Sequence, residues 1–121
     1  MEAAWRGFNL FGSWQLEETW PVFKLLGTDQ KYGLYALMVD GKVMYVGKCK
    51  DGFLSRMGMF RNPPPSQQTH YRLSPLIRAA LLAGQRMETA VLALPDATLQ
   101  ELKERRDALV REHAPAWNRY A

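Results

Sequence analysis

The chain has 121 residues, a hydrophobic content of 47% and a formal net charge of +4. That length suits one domain with enough apolar residues to bury a core, which excludes wholesale disorder. A single cysteine, Cys49, excludes an internal disulfide or a multi-cysteine zinc site, no apolar run reaches the roughly 18 to 20 residues that a membrane span needs, and no secretion leader opens the sequence; a soluble, cytoplasmic protein is expected.

Residues 1–30 carry Trp5, Phe8, Phe11, Trp14, Trp20 and Phe23, interrupted by Gly12 and Ser13. A short helix is expected near 16–26, with Pro21 tolerated only close to its first turn. Rings at this density need burial, so the segment reads as an aromatic-rich extension packed on a core formed by 31–121. A surface for self-association or a protein partner is the competing reading.

A hairpin follows, from Tyr32 to Val39, through Asp40-Gly41, to Lys42–Gly47; its β-branched and aromatic residues favour strands, and Asp-Gly favours a tight turn. A plain two-residue turn sets Val39 opposite Lys42 and Tyr35 opposite Val46, leaving Tyr45 on the other side of the sheet. A bulged three-residue loop sets Met38 opposite Lys42 and Tyr35 opposite Tyr45. Next, Asp51 is expected to cap a helix reaching Phe60. Asn62-Pro63-Pro64-Pro65 ends that helix and opens a loop through Gln67 and His70. A helix over 74–83 stops at Gly84, a third strand covers 87–94, and a last helix runs from Asp96 or Thr98 to His113, closed by Pro115. The fold class expected is α/β, with a small, mainly antiparallel three-stranded sheet flanked by helices.

Charge is unevenly distributed. Between Lys42 and Arg86 lie eight basic residues, Lys42, Lys48, Lys50, Arg56, Arg61, Arg72, Arg78 and Arg86, against one acid, Asp51. A basic middle around an aromatic hairpin fits a phosphate-binding surface, because cationic side chains displace counterions from a polyanion. A solvated face on an ordinary basic protein is the plainer alternative.

The strings Gly33-Leu34-Tyr35 and Tyr45-Val46-Gly47, followed by Lys48 and Arg56, resemble the GIY-YIG nuclease domain in order and spacing. The likeness extends to Leu109-Val110, Pro115 and Asn118 and covers roughly residues 32–118. It implies catalytic roles for Tyr35, Tyr45, Lys48 and Arg56: tyrosine, assisted by a second tyrosine or a lysine, helps deprotonate a water, and arginine stabilises the phosphate. It implies structural roles for Gly33, Gly47 and Asn118. Lys50, Arg61, His70, Arg72 and Arg106 are candidate nucleic-acid contacts. His70 is a candidate to replace a histidine that many members place four residues after the arginine, where this chain has Phe60; a solvated loop histidine is the plainer reading.

One position departs from the pattern. The family's metal-binding glutamate lies twelve residues before the final asparagine and three before the apolar pair, and both counts land on Arg106. Arg106 shares a helical stripe with Leu99, Leu102, Leu109 and Val110, so its guanidinium needs a phosphate cleft or a salt bridge, with Glu104 or Asp107 the nearest acids. Those two project about 200° and about 100° away from it around the helix and do not replace the glutamate. Cys49 lacks a nearby histidine and reads as a buried or incidental thiol.

The expected function is therefore binding of nucleic-acid phosphate backbone, with DNA placed ahead of RNA and with metal-dependent cleavage impaired or absent. The alternative is an active single-metal endonuclease using Mg²⁺ or Mn²⁺. A third reading is a pseudoenzyme that docks a protein partner, or a second copy, through its aromatic amino-terminal segment.

Overall fold

The computed structural model describes residues 5–119. Its elements, in chain order, are a 3₁₀ turn at Trp5–Gly7, β1 (Asn9–Glu17), β2 (Trp20–Leu25), β3 (Gly33–Val39), β4 (Lys42–Cys49), α1 (Phe53–Gly58), α2 (Gln68–Leu82), β5 (Met87–Ala93) and α3 (Leu99–His113). The fold is α/β. The five strands form one sheet in the order β2-β1-β5-β3-β4, and every pairing is antiparallel. No helix among the described residues is long and apolar enough to cross a membrane.

The sheet thus has five strands where three were expected, because the segment expected to be helical near 16–26 is extended. β1 and β2 form a hairpin in which Glu17 faces Trp20 and Leu16 faces Pro21. Pro21 fits because β2 is an edge strand, where a missing N–H removes no ladder bond on the open side. The rings decide the matter. Phe11 and Trp14 are buried in the sheet core, and the Trp14 indole N–H donates to Thr89 Oγ1 of β5 at 3.0 Å. Burying two large rings on an open side of β5 outweighs a weak local helical tendency.

Helices cover both faces. Phe53, Met57 and Phe60 from α1 and its end, with Leu73, Ile77 and Ala80 from α2, pack on Phe11, Trp14, Tyr35 and Leu37. Leu102 of α3 packs on Phe8, Leu34, Ala36 and Ala90 on the opposite face. Cys49 is buried in the first of these cores. α1 is shorter than expected and is not capped by Asp51. Gly52, with φ of 100°, precedes it, and Asp29 reaches across to accept from the Leu54 N–H at 3.1 Å. α2 is longer than expected: it begins at Gln68, so His70 and Arg72 stand on a helix rather than in a loop. The pair Ser74-Pro75 reads locally as a helix start, yet buried His70, Leu73, Ser74 and Ile77 hold the helix together across the proline. α3 begins with a reciprocal cap, in which Thr98 Oγ1 accepts from the Glu101 N–H and Glu101 accepts from the Thr98 N–H.

Candidate nucleic-acid interface

The hairpin register combines features of both expectations. Asp40 and Gly41 have φ of 50° and 83°, the conformation of a tight two-residue turn, and Val39 faces Lys42. The bulge lies inside β4 instead: Met38 pairs with Val43 and Leu37 with Tyr45, leaving Met44 as the extra residue. That one-residue slip brings Tyr45 to the face that carries Tyr35, and their ring centroids lie 5.9 Å apart. Tyr35 stands opposite Gly47 and not opposite Tyr45.

Gly47 is required by this packing. A Cβ there would lie 2.6 Å from Cζ and 2.7 Å from the hydroxyl oxygen of Tyr35. Tyr35 is itself buried, so it has little room to retreat. Gly47→Ala is expected to cost about 1–3 kcal/mol through overpacking, readable as a lower urea midpoint with an unchanged slope. Gly33 is held by a different contact, since its Cβ would lie 2.0 Å from the Leu92 carbonyl oxygen.

β4 is an edge strand, and the carboxy-terminal segment closes its open side. The Trp117 N–H donates to the Met44 carbonyl at 2.7 Å. The Asn118 side chain accepts from the Val46 N–H at 2.9 Å and donates to the Val46 carbonyl at 3.0 Å. Its amide satisfies both backbone groups of one strand residue, as a neighbouring strand would. Arg72 ties this segment to α2 by donating to the Trp117 carbonyl at 2.9 Å.

Beside that closure, α2 and α3 flank a cleft of about 1030 Å³. Arg72, Lys103, Arg106, Arg111 and Arg119 line it, with Asp107 the one carboxylate in the lining among the described residues. Tyr45, Tyr71, Gln68 and Asn118 also contribute. Of the eight basic residues in the middle of the chain, only Arg72 lines the cleft. Arg78 lies over the Trp20 ring, and Arg86 pairs with Glu88. The other four cations of the cleft come from α3 and the segment after it, where interspersed acids hold the net charge near zero. Lys103, Asp107 and Arg111 stand four residues apart on one helical face, with Arg106 three residues after Lys103, a pattern that the near-zero net charge of the segment concealed.

Arg106 is paired as well as facing the cleft. Its Nε donates to Asp107 at 2.7 Å, and Lys103 bonds the same carboxylate at 2.8 Å. These two bonds, Lys103 first, hold the Asp107 carboxyl down at about 2. Leu102 and Val110 carry the packing of this helical stripe, whereas Leu99 is exposed. The donor set does not fit the divalent ion that the family resemblance implies. The position that the resemblance assigns to the glutamate holds Arg106, and the carboxylate among the described lining residues is already engaged by Arg106 and Lys103.

The tyrosines are neutral phenols at neutral pH. Burial, reinforced by the proximity of Tyr45, pushes Tyr35 well above the ordinary tyrosine range. Burial also raises Tyr45, opposed by the positive fields of Arg106, Arg72 and Arg56. Tyr45 lines the cleft and keeps a neutral hydroxyl there, Tyr35 lies buried behind it, and neither is a ready base. Arg56 and His70 stand behind them, away from the cleft lining. The Arg56 guanidinium lies 3.8 Å from Asp51, and its Nε is buried without a hydrogen-bond partner among the described residues. His70 is buried, its ring centroid 4.3 Å from that of Phe60, and its Nε2 likewise lacks a partner among the described residues. Lys48, Lys50 and Arg61 are exposed outside the cleft lining. Lys48 faces Leu34 and so projects from the opposite side of the sheet to Tyr35 and Tyr45.

No protein-family model and no curated protein matches the sequence. Among solved structures, a mutant of bacteriophage T4 EndoII shares the fold with a TM-score of 0.70 at 16% identity, the match covering 93% of this chain and 92% of that one.

Proposed function

We propose that this protein binds the phosphate backbone of nucleic acid in the cleft between α2 and α3, on a nuclease-like fold that lacks a competent metal site. The observation that carries this reading is the lining itself: among the described residues five cations converge on one cleft, and the one carboxylate, Asp107, is engaged by two of them. Guanidinium groups recognise phosphate oxygens directly, and Tyr45 adds a neutral donor at the floor. The nuclease-like character is supported by the similarity to EndoII and by the residue pattern that resembles the GIY-YIG domain.

An active single-metal endonuclease is the second reading, and the same shared fold favours it. The two readings separate in one assay. Wild type is expected to bind a labelled oligonucleotide with a log–log salt slope of roughly −3 to −4, as five phosphate contacts would give. It is expected to leave that oligonucleotide uncut in Mg²⁺ or Mn²⁺. Affinity that does not fall between about 50 and about 200 mM salt would overturn the binding site. Metal-dependent cleavage by wild type, lost in Arg56→Ala, would establish the endonuclease.

A further inference from the structure

We propose that the cleft takes an unpaired nucleotide, with Tyr71 stacking against the base while Arg72 and Arg106 hold the adjoining phosphate. The inference rests on the phosphate-binding reading and names the strand form it serves. Tyr71 lines the same cleft, yet the residue is 52% exposed, whereas Tyr35 and Tyr45 are buried in the core. α2 fixes its position. Leu73, Ile77 and Ala80 anchor the helix to the sheet, and Tyr71 follows His70 and precedes Arg72 on the rim.

A ring and a guanidinium on consecutive residues of one helix, both lining the cleft, present two kinds of contact to the same space. A nucleotide has the matching pair, a flat base and a phosphate. Gln68 and Thr69, one turn earlier on the same rim, add uncharged donors and acceptors suited to a base edge. The cleft, at about 1030 Å³, has room for more than a phosphate ion. Duplex structure keeps bases stacked on one another and offers Tyr71 no free face. A single strand offers one at every nucleotide, and base–aromatic stacking tolerates any sequence.

The test uses the full chain and two fluorescent probes at one salt concentration: an oligothymidylate of about ten nucleotides and a duplex of similar charge whose strands are joined by a polyether linker in place of loop nucleotides. Wild type is expected to favour the single strand. Tyr71→Ala is expected to lose about tenfold or more in single-strand affinity while leaving duplex affinity unchanged, and Tyr71→Phe is expected to retain both. Because Tyr71 is half-exposed, the alanine variant should keep its thermal midpoint. Equal affinity of Tyr71→Ala and wild type for the single strand would overturn the stacking role, and so would equal losses for both probes. Failure of wild type to bind either probe would overturn the phosphate-binding reading itself.

Discussion

Arg106→Glu is expected to lower oligonucleotide affinity by about a hundredfold at low salt, the largest loss from any one substitution in the cleft. The change removes a charged hydrogen-bond donor, worth about 1.5–3 kcal/mol when it meets a phosphate, and adds a repelling charge at the same point. It also strips Asp107 of one of the two cations that hold its carboxyl down at about 2. Arg106→Ala removes the donor without the added repulsion and should lose about tenfold. Neither variant should unfold the protein, because Leu102 and Val110 carry the packing of α3 and the Arg106 side chain is partly exposed. Fluorescence anisotropy against ionic strength measures the effect. Unchanged affinity in both variants would remove Arg106 from the binding surface. With Mg²⁺ or Mn²⁺ present, the introduced carboxylate is the one change that gives the cleft a carboxyl not already committed to cations. Cleavage gained by Arg106→Glu and absent from wild type would show that this residue separates binding from hydrolysis.

The second large effect is on stability against pH. Burial, with the positive field of Arg56 assisting, lowers His70 from its ordinary value of 6.5 to about 4. Folding therefore keeps the imidazole neutral at pH values where the unfolded chain has already protonated it. The stability this contributes is present in full above about pH 6.5 and is lost as pH falls towards about 4. The loss is of the order of 2–3 kcal/mol, taking about 1.4 kcal/mol per pH unit. His70→Phe, which keeps a ring against Phe60 and removes the titration, should flatten the dependence of stability on pH between 6.5 and 4. Asp107 acts in a separate window. Its depressed carboxyl contributes stability above the unfolded value of 3.8, lost as pH falls towards about 2. Urea titrations at several pH values measure both. A slope between pH 6.5 and 4 that is equally steep in His70→Phe would place the acid sensitivity elsewhere.

Local chemistry made much of this protein legible. The Asp40-Gly41 turn, the capped start of α3, the strand of β5 and the α/β class follow from short-range preferences that the final structure does not oppose. Tyr45, Arg106 and Asn118, singled out by the family resemblance, and Arg72, singled out by the run of basic residues, come together around one cleft. The roles of residues 16–26 and 68–73 were not legible. In each, a proline gave a truthful local signal that long-range burial overrode: Pro21 sits on an open sheet edge, and Pro75 sits in a helix held by five buried residues.

The residues alone fix the chemical groups that the protein possesses and make the order of elements from β3 to α3 legible. Only tertiary structure decided which groups meet. A one-residue bulge at Met44 puts Tyr45 on the face of Tyr35, and the same alternation sends Lys48 to the other side. The closure of β4 by Asn118 brings residues 72 positions apart into contact, so that cations of α3 gather beside Arg72 while most basic residues of the middle segment point elsewhere. The physical reason is common to these cases. Side-chain direction in a strand reverses with every residue, and a cleft between elements is made by burial of surfaces that are distant in sequence, so neither is fixed until the core is packed.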